Sequence, residues 1–247
     1  MKIKTLQLPA ILTFIAFLTT GCIIVINGKS AQGSGNIIMD EREVSEFNKV
    51  HLKGSGNVFL TLGEKQTLII KTDDNIMPLI ETAVSGDKLT ISHGKHHLRP
   101  TVFEVFITVK DLVGVAISGS GIVRGKDRFM ADAFYTEISG SGDMDLEVET
   151  DRLEAKISGS GSIRLAGRAE DYTVSISGSG EVNAFEVQAK NVSVKISGSG
   201  NCRVYATDSL DAKISGSGDV YYKGRPQINT KISGSGSLIS RDKGTGF

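Results

Sequence analysis

Polar and apolar residues alternate along most of this chain, and the alternation restarts at regular intervals. Six segments align in the second half: Tyr135-Thr136-Glu137-Ile138, Leu153-Glu154-Ala155-Lys156-Ile157, Tyr172-Thr173-Val174-Ser175-Ile176, Val192-Ser193-Val194-Lys195-Ile196, Leu210-Asp211-Ala212-Lys213-Ile214 and Ile228-Asn229-Thr230-Lys231-Ile232. A period of two is that of a strand with one buried face. Each segment enters the same phrase, Ile-Ser-Gly-Ser-Gly, beginning at Ile117, Ile138, Ile157, Ile176, Ile196, Ile214 and Ile232. Successive copies are 21, 19, 19, 20, 18 and 18 residues apart. Beyond each corner the alternation resumes, as in Met144, Leu146 and Val148, or Cys202 and Val204. Such a unit accommodates at least two short strands, a glycine corner and a return loop such as Ala166-Gly167-Arg168-Ala169. It leaves no room for a helix.

Self-similarity at this period predicts stacked units that close their core only against one another. The predicted fold is all-β, a right-handed single-chain parallel β-helix with coils of 18–21 residues, the hand following from the chirality of parallel crossovers. Seven coils spaced ~4.8 Å apart would make a rod about 30–35 Å long. The glycines permit a sharp corner and close stacking, and the serines are expected to form hydroxyl ladders between coils.

Stacking also turns equivalent outward positions into columns. Arg124, Asp145, Arg164, Asn183, Arg203 and Tyr221 form one, beginning as alternating charge that fixes register. Lys195, Lys213 and Lys231 occupy three consecutive coils. Like charges so close repel, so this stripe is either a solvated face eased by Asp211 or a seat for an anionic ligand. Together with Tyr205 and Tyr221, the best exposed aromatics, these lysines form the candidate ligand-facing stripe.

Residues 33–115 keep the pattern in looser form. Gly33-Ser34-Gly35-Asn36 and Gly54-Ser55-Gly56-Asn57 read as degenerate corners, and strands are expected around residues 49–52, 58–62, 67–71, 88–91 and 103–109. Asp73 through Ile80 predicts one short helical turn with an Asp cap. The expected organisation is a signal peptide (1–21), a tether (22–32), an irregular β-helical part (33–115), a regular β-helix (116–240) and a tail (241–247).

The amino terminus carries the address. Lys2 and Lys4 precede an apolar run from Leu6 to Leu18, then Thr19-Thr20-Gly21-Cys22, the order of a secretory signal. Ending at a cysteine, it resembles a bacterial lipoprotein signal, with Cys22 as the acylated first residue. The alternative is an uncleaved anchor, because the uncharged stretch Thr5–Ile26 is long enough to span a bilayer. Without residues 1–21 the chain holds 26 basic and 28 acidic side chains, a balance that gives nucleic acid no basic face. The other cysteine, Cys202, falls at an inward position and reads as a buried hydrophobe.

Candidate chemistry is sparse. His93, His96 and His97 lie close enough in sequence to share a metal ion, but Lys95 and Arg99 intrude, and a polar hairpin loop is the simpler reading. Gly142-Asp143 and Gly218-Asp219 suggest calcium solenoids, yet equivalent positions hold Ile122, Ser162, Glu181, Asn201 and Ser237, too mixed for a repeated ligand. Carboxylates (Asp143, Asp145, Glu147, Glu181) sit on repeated faces with no insertion long enough to build a cleft. There is no Trp for sugar stacking. No cofactor is expected.

The run Phe47-Asn48-Lys49-Val50, Gly54-Ser55-Gly56-Asn57-Val58, Asp73-Asp74-Asn75-Ile76-Met77-Pro78-Leu79-Ile80 and Lys88-Leu89-Thr90-Ile91-Ser92, followed by the repeats, resembles the head GIN domain family of Bacteroidetes envelopes, labelled putative auto-transporter adhesins. The resemblance covers about residues 33–240 and implies a β-helical, exported protein; it brings no catalytic residues. The expected function is therefore a non-enzymatic, lipid-anchored scaffold of the cell envelope, on the outer membrane with either side open. It would bind a glycan or an envelope or host protein. The alternatives are a carbohydrate-active β-helix enzyme and a periplasmic structural or signalling module.

Overall fold

The computed structural model describes residues 30–242. The chain begins with β1 (Ser30–Gln32), β2 (Ile37–Glu41), β3 (Lys49–Gly54), β4 (Asn57–Leu62) and β5 (Thr67–Asp73). A 3-10 turn over Met77–Leu79 leads to β6 (Glu81–Ser85), β7 (Lys88–Ser92), β8 (His97–Arg99), β9 (Phe103–Val109) and β10 (Gly114–Gly119). Five long strands follow: β11 (Ile122–Gly140), β12 (Asp143–Gly159), β13 (Ser162–Gly178), β14 (Glu181–Gly198) and β15 (Asn201–Gly216). The described chain closes with β16 (Val220–Lys223), β17 (Gln227–Gly234) and β18 (Leu238–Ser240).

The architecture is a β-solenoid of about seven turns with coils of about 19 residues. The register pairs Ile117 with Ile138, then Ile157, Ile176, Ile196, Ile214 and Ile232 in one continuous row. Ile138 through Ile214 are at most 2% exposed. Each fully buried aliphatic side chain contributes about 1.5–3 kcal/mol of transfer energy, which only the next coil makes available.

The coils differ from the expected two strands and loop. From corner to corner each of β11–β15 is one bent strand, and the return segment stays in the ladder, interrupted by register shifts such as Arg124/Arg128 and Ala184/Gln188. The predicted loop Ala166–Ala169 pairs along its length with Glu147–Thr150. Its bend is made by Gly167 at φ +120°, where a Cβ would fall 1.9 Å from the Val148 carbonyl oxygen. The backbone must satisfy its own donors and acceptors, and stacking lets the return segment do so.

The two corner glycines have separate tasks. The first of each copy takes a positive φ, 117–134° from Gly119 to Gly234. The second does not; its missing Cβ leaves room for the glycine carbonyl and isoleucine of the coil beneath, as at Gly161, where a Cβ would meet Gly142 O at 2.6 Å and Ile138 Cγ2 at 2.7 Å. The hydroxyl ladder is not the device that stacks the corners. Backbone amides do this, with Ser141, Ser160, Ser179, Ser199 and Ser217 N–H each donating to a glycine carbonyl one coil below, all at 2.9 Å.

The amino-terminal part breaks the order of stacking. β3 and β4 form a coil with corner Gly54-Ser55-Gly56, and the regular coils continue above it through β10 and β11. Between β4 and β10 the chain first descends, so that β7 and β9 lie parallel beneath β3 and β4. Antiparallel strands finish this end: β6 against β7, and β5 with β2 against β9. Gly33-Ser34-Gly35-Asn36 is not a stacked corner. It is clasped by the 73–75 segment: Asp73 accepts from the Gly35 and Thr101 amides (2.8 and 2.7 Å), and Asp74 from Ser34 Oγ and Asn36 Nδ2. Those aspartates are thereby occupied, and the turn after them starts at Ile76 without a side-chain cap.

Candidate functional site

The sheet register builds the lysine stripe residue by residue. Glu137, Lys156, Ser175, Lys195, Lys213 and Lys231 are successive partners on the outward side of the segment before the corner. Two residues further on, Ser158, Ser177, Ser197, Ser215 and Ser233 form a parallel exposed column. Inward positions between the two are filled by the isoleucine row, so both columns project to solvent.

Four cations elsewhere on the solenoid sit against acids of an adjacent coil: Lys156 with Glu137 at 3.1 Å, Arg128 with Glu147 at 2.6 Å, Lys190 with Glu170 and Arg203 with Glu181. In the stripe, Lys213 bonds Asp211 of its own strand at 3.0 Å. Among the described residues Lys195 and Lys231 have no ion-pair partner. Ammonium groups one coil apart repel by about 1 kcal/mol per neighbouring pair in water. Lys195 and Lys231 thus carry uncompensated positive charge beside a line of exposed serine hydroxyls.

The two tyrosines do not join it. Tyr221 follows the corner, on a different face, in the column Phe106, Phe59, Arg124, Asp145, Arg164, Asn183, Arg203, Tyr221. Its ring lies between Arg203 (5.3 Å) and Arg241 (4.8 Å), and its hydroxyl donates to Asp219 at 3.2 Å. Tyr205 pairs with Gln188 and Lys223 in the return region. The stacked pair Phe59–Phe106, 5.3 Å apart with Lys126 over it, begins the same column. Sequence reasoning missed it because these two coils are adjacent in space and out of order along the chain.

The histidines flank the corner of β3. The His93 ring lies where a Cβ on Gly54 would stand, 2.1 Å from Nε2. The Nδ1 atoms of His93 and His96 are buried without hydrogen-bond partners. Among the described residues no three His, Cys, Asp or Glu side chains come together to hold a metal. Cys202 is fully buried, and burial pushes its thiol far above the usual range. It packs as the hydrophobe its inward position implies. Cys22 lies outside the described residues.

A groove of about 800 Å³ runs across the return segments. Thr150, Ala169 and Ala189 floor it, and Asp132, Asp151 and Glu170 line it. The recurrence of small residues at this position was the signal available in the sequence.

Parallel coils, an isoleucine row and stacked glycine corners define a single-chain β-solenoid, a class whose surface is a set of repeated columns. Within that class the chain belongs to the family described as "Putative auto-transporter adhesin, head GIN domain", which matches residues 46–226. It is similar to the crystal structure of a putative adhesin from Bacteroides fragilis: TM-score 0.79, 29% identity, with 85% of this chain and 99% of that one covered. A Parabacteroides distasonis protein described as a putative lipid binding protein gives TM-score 0.74 and 28% identity over 87% of this chain and 100% of its own. A putative adhesin from Parabacteroides merdae gives 0.70 and 27% over 87% and 100%. No curated protein matches the chain. Among the described residues no helix is long and apolar enough to cross a membrane.

Proposed function

We propose that this chain is a non-enzymatic, lipid-anchored protein of the cell envelope whose solenoid serves as an adhesin-type scaffold, with the lysine stripe as its contact for an anionic glycan. The observation that carries the reading is the in-register column Lys195, Lys213 and Lys231, largely without acidic partners, beside Ser197, Ser215 and Ser233. A carboxylated or sulfated polysaccharide presents repeated negative charge to match it, and hydroxyls supply the remaining hydrogen bonds. The adhesin descriptions of the family and of two similar structures support the scaffold role. Cys22, freed by removal of residues 1–21, supplies the lipid anchor.

The test is retention of the full chain on immobilised polygalacturonate, with neutral dextran as control and salt as the variable. Binding is expected on the acidic polymer alone and weakens with salt. Lys195→Glu, Lys213→Glu and Lys231→Glu together abolish it without altering strand content. Equal retention of the triple variant would sink the proposal. The anchor is tested separately by palmitate labelling, which a Cys22→Ser change eliminates.

A further inference from the structure

The two ends of the solenoid are finished differently. At the amino-terminal end the antiparallel strands β6, β5 and β2 close off the parallel ladders. At the other end β17 pairs with β15 on one side, and among the described residues no strand pairs with its opposite edge. All eight residues of β17 are exposed. Ile228 and Ile232 are 45% and 40% exposed, whereas Leu210 and Ile214 directly beneath them are 1% and 2%. The core is therefore open here, framed by unpaired backbone donors and acceptors, an arrangement that templates pairing with another strand.

We propose that a second copy of this chain covers this edge, the two β17 strands pairing antiparallel about a two-fold axis at Thr230. The sequence of the strand is self-complementary about that residue. Ile228, Thr230 and Ile232 share the inward side, because they stack on Leu210, Ala212 and Ile214. With the axis at Thr230, Ile228 faces the partner's Ile232, Ile232 faces the partner's Ile228, and the two threonines face each other. On the outside Lys231 meets the partner's Asn229, so the lysines are not opposed. Moving the axis to Lys231 would oppose the two lysines and set Ile228 against the partner's Gly234. Moving it to Asn229 would set Ile232 against the partner's Pro226. The axis at Thr230 is thus the register that buries all four isoleucines. The contact is isologous and closes as a dimer, joining two solenoids end to end into one continuous core. It does not depend on the glycan reading.

The experiment uses the full chain in mild detergent. Sedimentation at tens of micromolar should give twice the chain mass, and Ile228→Asp with Ile232→Asp should give the single mass with unchanged strand content. Residues opposed across an antiparallel pair have Cβ atoms about 4.5–5.5 Å apart. On a Cys22→Ser background, Thr230→Cys should therefore yield a disulfide-linked dimer under mild oxidation, whereas Ser177→Cys should not. A monomeric wild-type chain, a dimer that survives the double aspartate change, or no cross-link at position 230 would each overturn the proposal. So would dimerisation only after removal of residues 243–247, which would make that segment the natural cover.

Discussion

At the scale of single residues, the corner shows which atoms the repeat needs. Gly159 combines φ +130° with a Cβ position 2.3 Å from the Gly140 carbonyl oxygen. Alanine there meets backbone strain and overlap together, so Gly159→Ala should cost about 2–5 kcal/mol in denaturant unfolding. Ser158→Ala, one residue earlier on the exposed side, should change stability by no more than about 0.5 kcal/mol. Inside, the Tyr172 hydroxyl is buried without a hydrogen-bond partner, and desolvation holds its pKa well above the usual value. Removing an unsatisfied hydroxyl relieves a desolvation cost, so Tyr172→Phe should leave stability unchanged or raise it by up to about 1 kcal/mol. Asp73 has the opposite character. Burial pushes its carboxyl up, but the amides of Gly35 and Thr101 outweigh this and hold the pKa below the ordinary value. A depressed folded pKa gives stability that is present above the unfolded value, near 3.9, and is lost as pH falls through the folded one. Chemical denaturation followed below about pH 4 should show the wild type losing stability more steeply than Asp73→Asn.

At the scale of elements, legibility followed locality. Alternation and the recurring corner sufficed to align six strands and both outward columns, because a coil's partners lie one repeat away and the register between neighbouring corners is fixed by the identical Ile-Ser-Gly-Ser-Gly copies. The lysine stripe was readable for the same reason. What the sequence did not disclose depends on contacts out of chain order. The Phe59–Phe106 stack exists because β9 returns beneath β4, and the clasp of residues 33–36 exists because β5 reverses beside β2. Gly33-Ser34-Gly35 carries the corner's residue types without the preceding isoleucine, and the strand that follows it, β2, pairs antiparallel with β5 instead of stacking in parallel on a coil. The return segment looked like a loop because its inward residues are small (Ala169, Ala189, Ala206) and give little alternation, although its backbone is paired.

At the scale of the molecule, each coil touches only its neighbours, so stability should be a sum over coils and interfaces and not the property of one shared core. Deleting Ser160–Gly178 removes one whole turn and joins Gly159 to Ser179, leaving every corner intact. The coils brought together have compatible interiors: β12 would meet β14 with Leu153 over Val192, Val148 over Val187 and Asp151 beside Lys190. The costs lie outside, where Lys156 approaches Lys195 and Asp143 approaches Glu181, like-charge contacts that cost about 1 kcal/mol each at most. The shortened chain should therefore fold with the same β-type circular dichroism and a cooperative transition. Its denaturant slope should fall roughly in proportion to the surface that the missing coil no longer exposes on unfolding. A shortened chain that fails to fold would show that the coils cooperate over longer range than nearest neighbours. A chain that folds would show that the solenoid's length is set by repeat number alone, and that the lysine stripe can be shortened by whole units without redesign of the interior beneath it.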